Sequence, residues 1–240
     1  MGRQLSRAKN VGVVDDDKEP EAGNPLVIKI TLAVQNFLST SSGAQQLLAL
    51  KILQNSLHAL TDTRDVLPLV NEVWPALSHR LDKGRDLFYV TLAACDVVDT
   101  VCRTGEGWMR QRVRDDLWVH FRRVLVEASP ESIVYSSTER ELVRRVLSTM
   151  RTVVECVPID EAIAWDLSWM SLRLVGQKLV EPHAVELLKA MVPAYGDKIW
   201  LILAKLGRAG VPPESVPSLG IPEDIHTPQD ICQVLSLAEK

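Results

Sequence analysis

The sequence predicts an all-α fold, an α-α superhelix of antiparallel helical hairpins, and three observations carry that prediction. From Leu26 onward, apolar residues recur at the three- and four-residue steps of a helix almost without interruption. Strand-like alternation between turn signals is missing. The breaks between helical stretches are short, as they are between antiparallel neighbours. With 240 residues, 46% of them hydrophobic, the chain can bury a substantial core.

Residues 1–24 read as a flexible N-terminal segment, poor in large apolar groups and turning acidic at Asp15, Asp16, Asp17, Glu19 and Glu21. Asn24 and Pro25 then supply a cap and a first helical residue. Helical repeats are expected over 25–207, with helices at about 26–38, 44–60, 66–82, 86–103, 106–128, 137–156, 159–176, 182–195 and 197–207. Stops fall at Thr61 to Thr63, Lys83-Gly84, Thr104-Gly105, Ser129-Pro130, Val157-Pro158 and Gly196. Ser136 with Glu139 makes a capping-box pattern, and Asp197 precedes an apolar run. A proline-rich connection over 208–227 excludes regular structure and delivers a C-terminal docking helix, 228–240, apolar at Ile231, Val234, Leu235 and Leu237. That last helix is expected either to cap the final repeat or to dock on another chain.

One helix carries a defect. In VLPLVNEVWPALSHRL, Leu67, Val70, Trp74, Leu77 and Leu81 form one apolar stripe, yet Pro75 interrupts it. A proline inside a helix removes a donor and crowds the carbonyl four residues earlier, at a cost of about 3 kcal/mol. Laying Trp74 on Trp118 aligns Val66–Leu81 with Arg110–Leu125 at an offset of 44, so that Val73 meets Leu117, Leu77 meets Phe121 and Leu81 meets Leu125. The first helix begins 41 residues before Val66. A spacing in the low forties belongs to HEAT and armadillo-like solenoids and exceeds the tetratricopeptide unit. In such a stack a bent first helix lets hairpins curve, and Pro75 supplies the bend. Val119 at the aligned position shows that not every repeat requires it. A kink near Asn71 to Pro75, with Trp74 packed between hairpins, is the expectation.

The run DVLPLVNEVWPALSHRL, followed by an amphipathic helix and GEGWMRQRVRDDLW, resembles the C-terminal region of the TTT-complex scaffold family, the first Tel-interacting subunit. The matching positions are Leu67, Pro68, Leu69, Trp74, Pro75, Leu77 and Leu81, then Gly105, Trp108, Met109, Arg110 and Arg112. Trp108 stands where the family usually has phenylalanine. The resemblance is strongest over residues 62–126 and continues in the proline-rich tail with its short apolar helix. It implies a non-catalytic helical scaffold without cofactors, whose partners are the other TTT-complex subunits, heat-shock chaperone machinery and large phosphatidylinositol-3-kinase-related kinases. Family members are far longer chains, so roles of their N-terminal part are not carried over.

Composition narrows the alternatives. A net charge of −4 and a pI near 5.8 argue against nucleic acid or an anionic membrane as the main partner. The N-terminus offers no secretory apolar core and no stretch reaches the length of a membrane span, so a cytoplasmic or nuclear placement is expected. Cys95, Cys102, Cys156 and Cys232 make no CxxC pair and read as buried thiols. His58, His79, His120, His183 and His226 lack zinc spacing, which predicts no metal site. Gly105-Glu106-Gly107 reads as a turn, and Asp115-Asp116 and Asp160-Glu161 as helix-start charges.

Candidate partner-binding residues are Arg110, Arg112, Arg140, Arg144, Arg145 and Arg151, with Arg114, Arg122 and Arg123 beside them. They form either a solvated face paired with Glu139, Glu141, Asp115 and Asp116 or a surface for an acidic segment. Trp165 and Trp169, four apart on one face, are either core or an interface anchor. Trp74, Pro75 and Trp118 are assigned structural roles. Two rival functions stand beside the scaffold: a generic HEAT or armadillo-like transport or trafficking adaptor, weakened because Asn55 and Asn71 do not recur with Trp74 at the repeat period, and an enzyme whose site assembles only in three dimensions.

Overall fold

The computed structural model describes residues 25–39, 42–60, 63–82, 87–128, 136–175 and 177–208. The N-terminal segment 1–24, almost all of the proline-rich connection and the docking helix expected over 228–240 lie outside the described residues. Helical rods follow in order: α1 (Pro25–Leu38), α2 (Gly43–Ala59), α3 (Thr63–Asp82), α4 (Phe88–Gly105), α5 (106–127), α6 (Ser137–Cys156), α7 (Glu161–Leu174) and α8 (Glu181–Arg208). No strand occurs among the described residues.

The packing resolves into two layers. Hairpin partners are α1 with α2, α3 with α4, α5 with α6, and α7 with α8. One layer then stacks α1 on α3, α3 on α5 and α5 on α7, while the other stacks α2 on α4, α4 on α6 and α6 on α8. Each hairpin cannot cover its own apolar stripe, and stacking buries the stripes in one continuous core from Val27 to Leu203. The chain is therefore an all-α helical repeat.

Within α3 the helix continues through both Pro68 and Pro75. Pro75 faces solvent while Trp74 is buried. Since Pro75 cannot donate, the carbonyl of Asn71 loses its usual helical partner. Next to it, the Glu72 carbonyl accepts a 2.9 Å hydrogen bond from Gln35 Nε2 of α1.

The rod α5 is irregular ahead of Trp118, upstream of Val119, the residue aligned with Pro75 of α3. It opens with a 3-10 turn, Glu106–Met109, passes one α-turn, Arg110–Arg112, and widens into a π-turn, Val113–Leu117, before the regular helix Trp118–Glu127. Its buried residues explain the widening. Met109, Val113, Leu117, Phe121 and Leu125 all lie in the core at strict steps of four. Each such step over-rotates an ideal α-helix by about 40°, so four of them would carry the stripe about 160° away from the core. A π-turn, in which Trp118 donates to the Val113 carbonyl five residues back, takes up the excess. Asp115 and Asp116 thus sit inside a rod and do not cap a helix start, which corrects the reading from their sequence position.

At α6 the capping box forms as patterned: Glu139 N–H donates to Ser136 Oγ and Ser136 N–H to Glu139 Oε2. Asp160 occupies the cap position of α7 but makes no capping bond, because its carboxylate accepts from Arg110. The two helices expected at 182–195 and 197–207 are two arms of α8, joined at Tyr195, whose φ of −135° and ψ of 19° leave the helical region. Pro193 and Gly196 flank that residue. Tyr195 Oη donates to the Ile159 carbonyl at 3.0 Å and accepts from the Ile159 amide at 3.1 Å, fixing the break against the α6–α7 connection.

Candidate functional site

Most of the arginines singled out in the sequence reach across to the neighbouring hairpin. Arg112 of α5 donates to Asn71 Oδ1 of α3 and lies 3.6 Å over the Trp108 ring. Arg123 donates to the Asp82 carboxylate at the end of α3, and Arg122 to Asp166 of α7 at 3.0 Å. Arg110 meets Asp160 at 2.7 Å, and Arg151 of α6 bonds Glu155 at 2.8 Å and approaches Glu186 of α8 at 3.5 Å. Arg144 pairs with Glu141 within α6. Arg140, half-buried, lines a crevice with Ala128, Val143, Gln177 and Val180.

Arg145 holds the most enclosed of these pairs, 2.6 Å from both Asp96 and Asp99 of α4. Burial raises the Asp99 carboxyl above its usual range, with Arg145 pulling the other way. The exposed pairs contribute up to about 1 kcal/mol each, whereas separating an enclosed one leaves an uncompensated charge. The partnered reading thus covers much of the basic face, with acceptors drawn largely from the next hairpin: Asp160, Asp82, Asp96 and Asp99 join two of the acids expected from sequence, Glu141 on Arg144 and Asp115 on Arg114.

Trp165 is half-buried against the core, while Trp169 is exposed. Trp74 and Trp118 are buried, and Trp74 Nε1 donates to Asp116 Oδ2 at 2.6 Å, bonding α3 to α5.

A polar cleft of about 450 Å³ crosses α2, α4 and α6, lined by Gln54 and His58, by Asp96, Asp99, Thr100, Arg103 and Thr104, and by Arg145. Its charges balance, two carboxylates against two guanidinium groups, with hydroxyl and amide groups between them. Such a lining can hydrogen-bond an extended chain. It pairs no nucleophile with a base: Cys95 and Cys102 of α4 are buried, and burial pushes the Cys95 thiol up to about 12 and Cys102 also upward. Sequence reasoning passed over this cleft, although Asp96, Asp99, Arg103 and Thr104 already trace a polar stripe at helical spacing through an otherwise apolar helix. Gly105-Glu106-Gly107 joins α4 to α5 as a turn, with Glu106 at a φ of 40°. Among the described residues no group of three metal-ligating side chains converges, and no helix is long and apolar enough to cross a membrane.

Bonds between hairpins also measure the repeat. Those from Gln35 to Glu72, Arg112 to Asn71, Trp74 to Asp116, Arg122 to Asp166, Arg145 to Asp99 and Arg110 to Asp160 span 37 to 50 residues. A family model described as "TTI1 C-terminal TPR domain" matches residues 4–200. The match runs across all four hairpins, including 129–200, where sequence inspection finds helical pattern alone. Its name places the repeat among tetratricopeptide-like arrays, whereas spacing alone points to the longer HEAT class; both are two-layer stacks of hairpins. No curated protein and no solved structure matches the chain.

Proposed function

Because the chain belongs to the TTI1 C-terminal TPR domain family, we propose that it is a non-catalytic scaffold of the TTT co-chaperone complex, supporting the maturation and stability of phosphatidylinositol-3-kinase-related kinases in the cytoplasm and nucleus. The observation that carries this reading is the extent of the family match, residues 4–200, which reaches from the first hairpin into the last helix. Stacked hairpins suit the role, since they present more surface per residue than a compact domain.

Most arginines of the inter-hairpin clasps are engaged within the chain, and on this reading partner contact falls where a single clasp, Arg145 with Asp96 and Asp99, forms part of the lining. The cleft across α2, α4 and α6 is the surface suited to an extended partner segment, with Arg103, which donates to Thr152 Oγ1 at 3.4 Å, as its exposed guanidinium. Co-purification tests the proposal: mixed with the other TTT subunits at micromolar concentration, the protein co-elutes with at least one of them. Clean separation from all of them overturns it. Arg103→Glu is expected to weaken that co-elution at unchanged thermal stability, and unchanged binding removes the cleft from the interface.

A further inference from the structure

The six tryptophans are not treated alike. Trp74 and Trp118 are buried between hairpins, and Trp108 and Trp165 are partly covered. The two in the exposed class, Trp169 at 36% and Trp200 at 50%, both lie on the final hairpin. Leu201, beside Trp200, is 45% exposed. Among the described residues, α8 packs on α6 and α7, and no further element follows it in the stack. A hairpin array normally ends in a unit with a polar outer face. This end carries large apolar groups instead.

The chain continues past Arg208 for residues 209–240. Residues 209–227, with Pro212, Pro213, Pro217 and Pro222 in their sequence, are enough to span up to roughly 60 Å at about 3.1 Å per residue. The α7 helix is only about 20 Å long, so the tether spans the end hairpin with length to spare. Beyond it, Ile231, Val234, Leu235 and Ala238 fall at steps of three, one and three, one apolar stripe behind the start signal Thr227-Pro228-Gln229-Asp230. A helix of that length is marginal alone in water and needs a surface on which to bury its stripe.

We propose that residues 228–238 dock in cis on the outer side of the α7–α8 hairpin, covering Trp169, Trp200 and Leu201, so that the chain caps its own stack. Tethering gives this site an advantage, because the segment is held at high effective concentration near the end of α8. The opposite end of the stack, with Leu26, Ile28 and Leu32 exposed on α1, is apolar too but lies the full array away from the tether's origin. The proposal goes beyond the scaffold reading and does not depend on it.

Hydrogen exchange on the full chain tests it, with three proteins compared: wild type, Leu235→Asp, and the double variant Trp200→Ala, Leu201→Ser. In the wild type, amides of 231–238 are expected to exchange at least about tenfold more slowly than an unstructured peptide. Leu235→Asp abolishes that protection and speeds exchange over 197–204. The surface double variant also abolishes it while leaving the thermal transition in place. Unprotected 231–238 amides in the wild type overturn the proposal. So does protection that survives the double variant, or that moves to 26–32. Protection lost on dilution, with dimers seen by sedimentation, assigns the segment to a second copy and likewise overturns docking in cis.

Discussion

Helices α3 and α5 hold equivalent places in successive hairpins and reach them differently. Downstream, their buried residues match at an offset of 44: Val73 with Leu117, Trp74 with Trp118, Leu77 with Phe121, Leu81 with Leu125. Upstream, the buried Val66 matches Met109 at an offset of 43. One residue has been inserted between these two registers, and the π-turn Val113–Leu117 is where α5 accommodates it. The corresponding part of α3 has no insertion, and Pro75 follows it on the solvent side, at the position aligned with Val119 of the regular helix. The lesson is that stacking constrains which residues face the core, while the residue count of a rod can vary where a π-turn absorbs the excess.

The sharpest way to break this comparison is a pair of single-residue deletions in α5. Deleting Arg122, within the regular helix, rotates everything on one side of the cut by about 100° and misplaces either Leu125 or the stripe before it, so loss of several kcal/mol is expected. Deleting the exposed Asp115 removes the inserted residue and returns Met109 and Val113 to the register of Val66 and Val70. This variant should lose under about 2 kcal/mol and keep a cooperative transition. Equal damage from the two, measured by urea denaturation followed by circular dichroism, would show that the π-turn is not a register device.

A second comparison concerns the proline. Pro75→Ala restores a donor to the Asn71 carbonyl on a solvent-facing position, and it should stabilise the protein by about 1–2 kcal/mol, part of the proline penalty being offset by a freer unfolded chain. A fall in stability would mean that the proline itself is required for stacking. The tryptophans separate next: Trp74→Phe loses the bond to Asp116, whereas Trp118→Phe loses area alone. The first should therefore cost about 1 kcal/mol more than the second.

The smallest effect is a pH dependence centred on His120. This α5 side chain lies 3.3 Å from Asp82 at the end of α3, without the alignment of a hydrogen bond. Burial holds its pKa below the usual 6.5, outweighing the attraction of Asp82 and aided by Arg123. The folded state then binds fewer protons than the unfolded one below pH 6.5, so stability declines as pH falls from there toward the folded pKa and is flat above. Asp82 is shifted down, chiefly by its bond from Arg123, and adds its own loss only below its usual 3.8. His120→Gln should flatten the slope between pH 6.5 and 5 in denaturation midpoints. An unchanged slope would assign it elsewhere, with the downshifted His183 the next residue to replace.

Much of the fold was legible in the sequence. Helix order, the buried stripe of α3, its alignment with α5 and the capping box at Ser136 all follow from local periodicity and cap chemistry, which act within one or two turns. The resemblance carried by the Trp-Pro helix pointed to the family that the match over residues 4–200 shows, while the repeat length pointed to the longer HEAT class. Even the π-turn left a trace, the unbroken steps of four from Met109 to Leu125. Its meaning depends on which residues a neighbouring helix forces inward. The same holds for the arginines: one composition serves equally for a recognition face or for clasps, and only the meeting of side chains 41 to 50 residues apart shows which acceptors they reach. Sequence alone determined which faces had to be buried, because solvation is a property of each residue. Tertiary structure decided what buries them, because pairing is a property of two segments brought together.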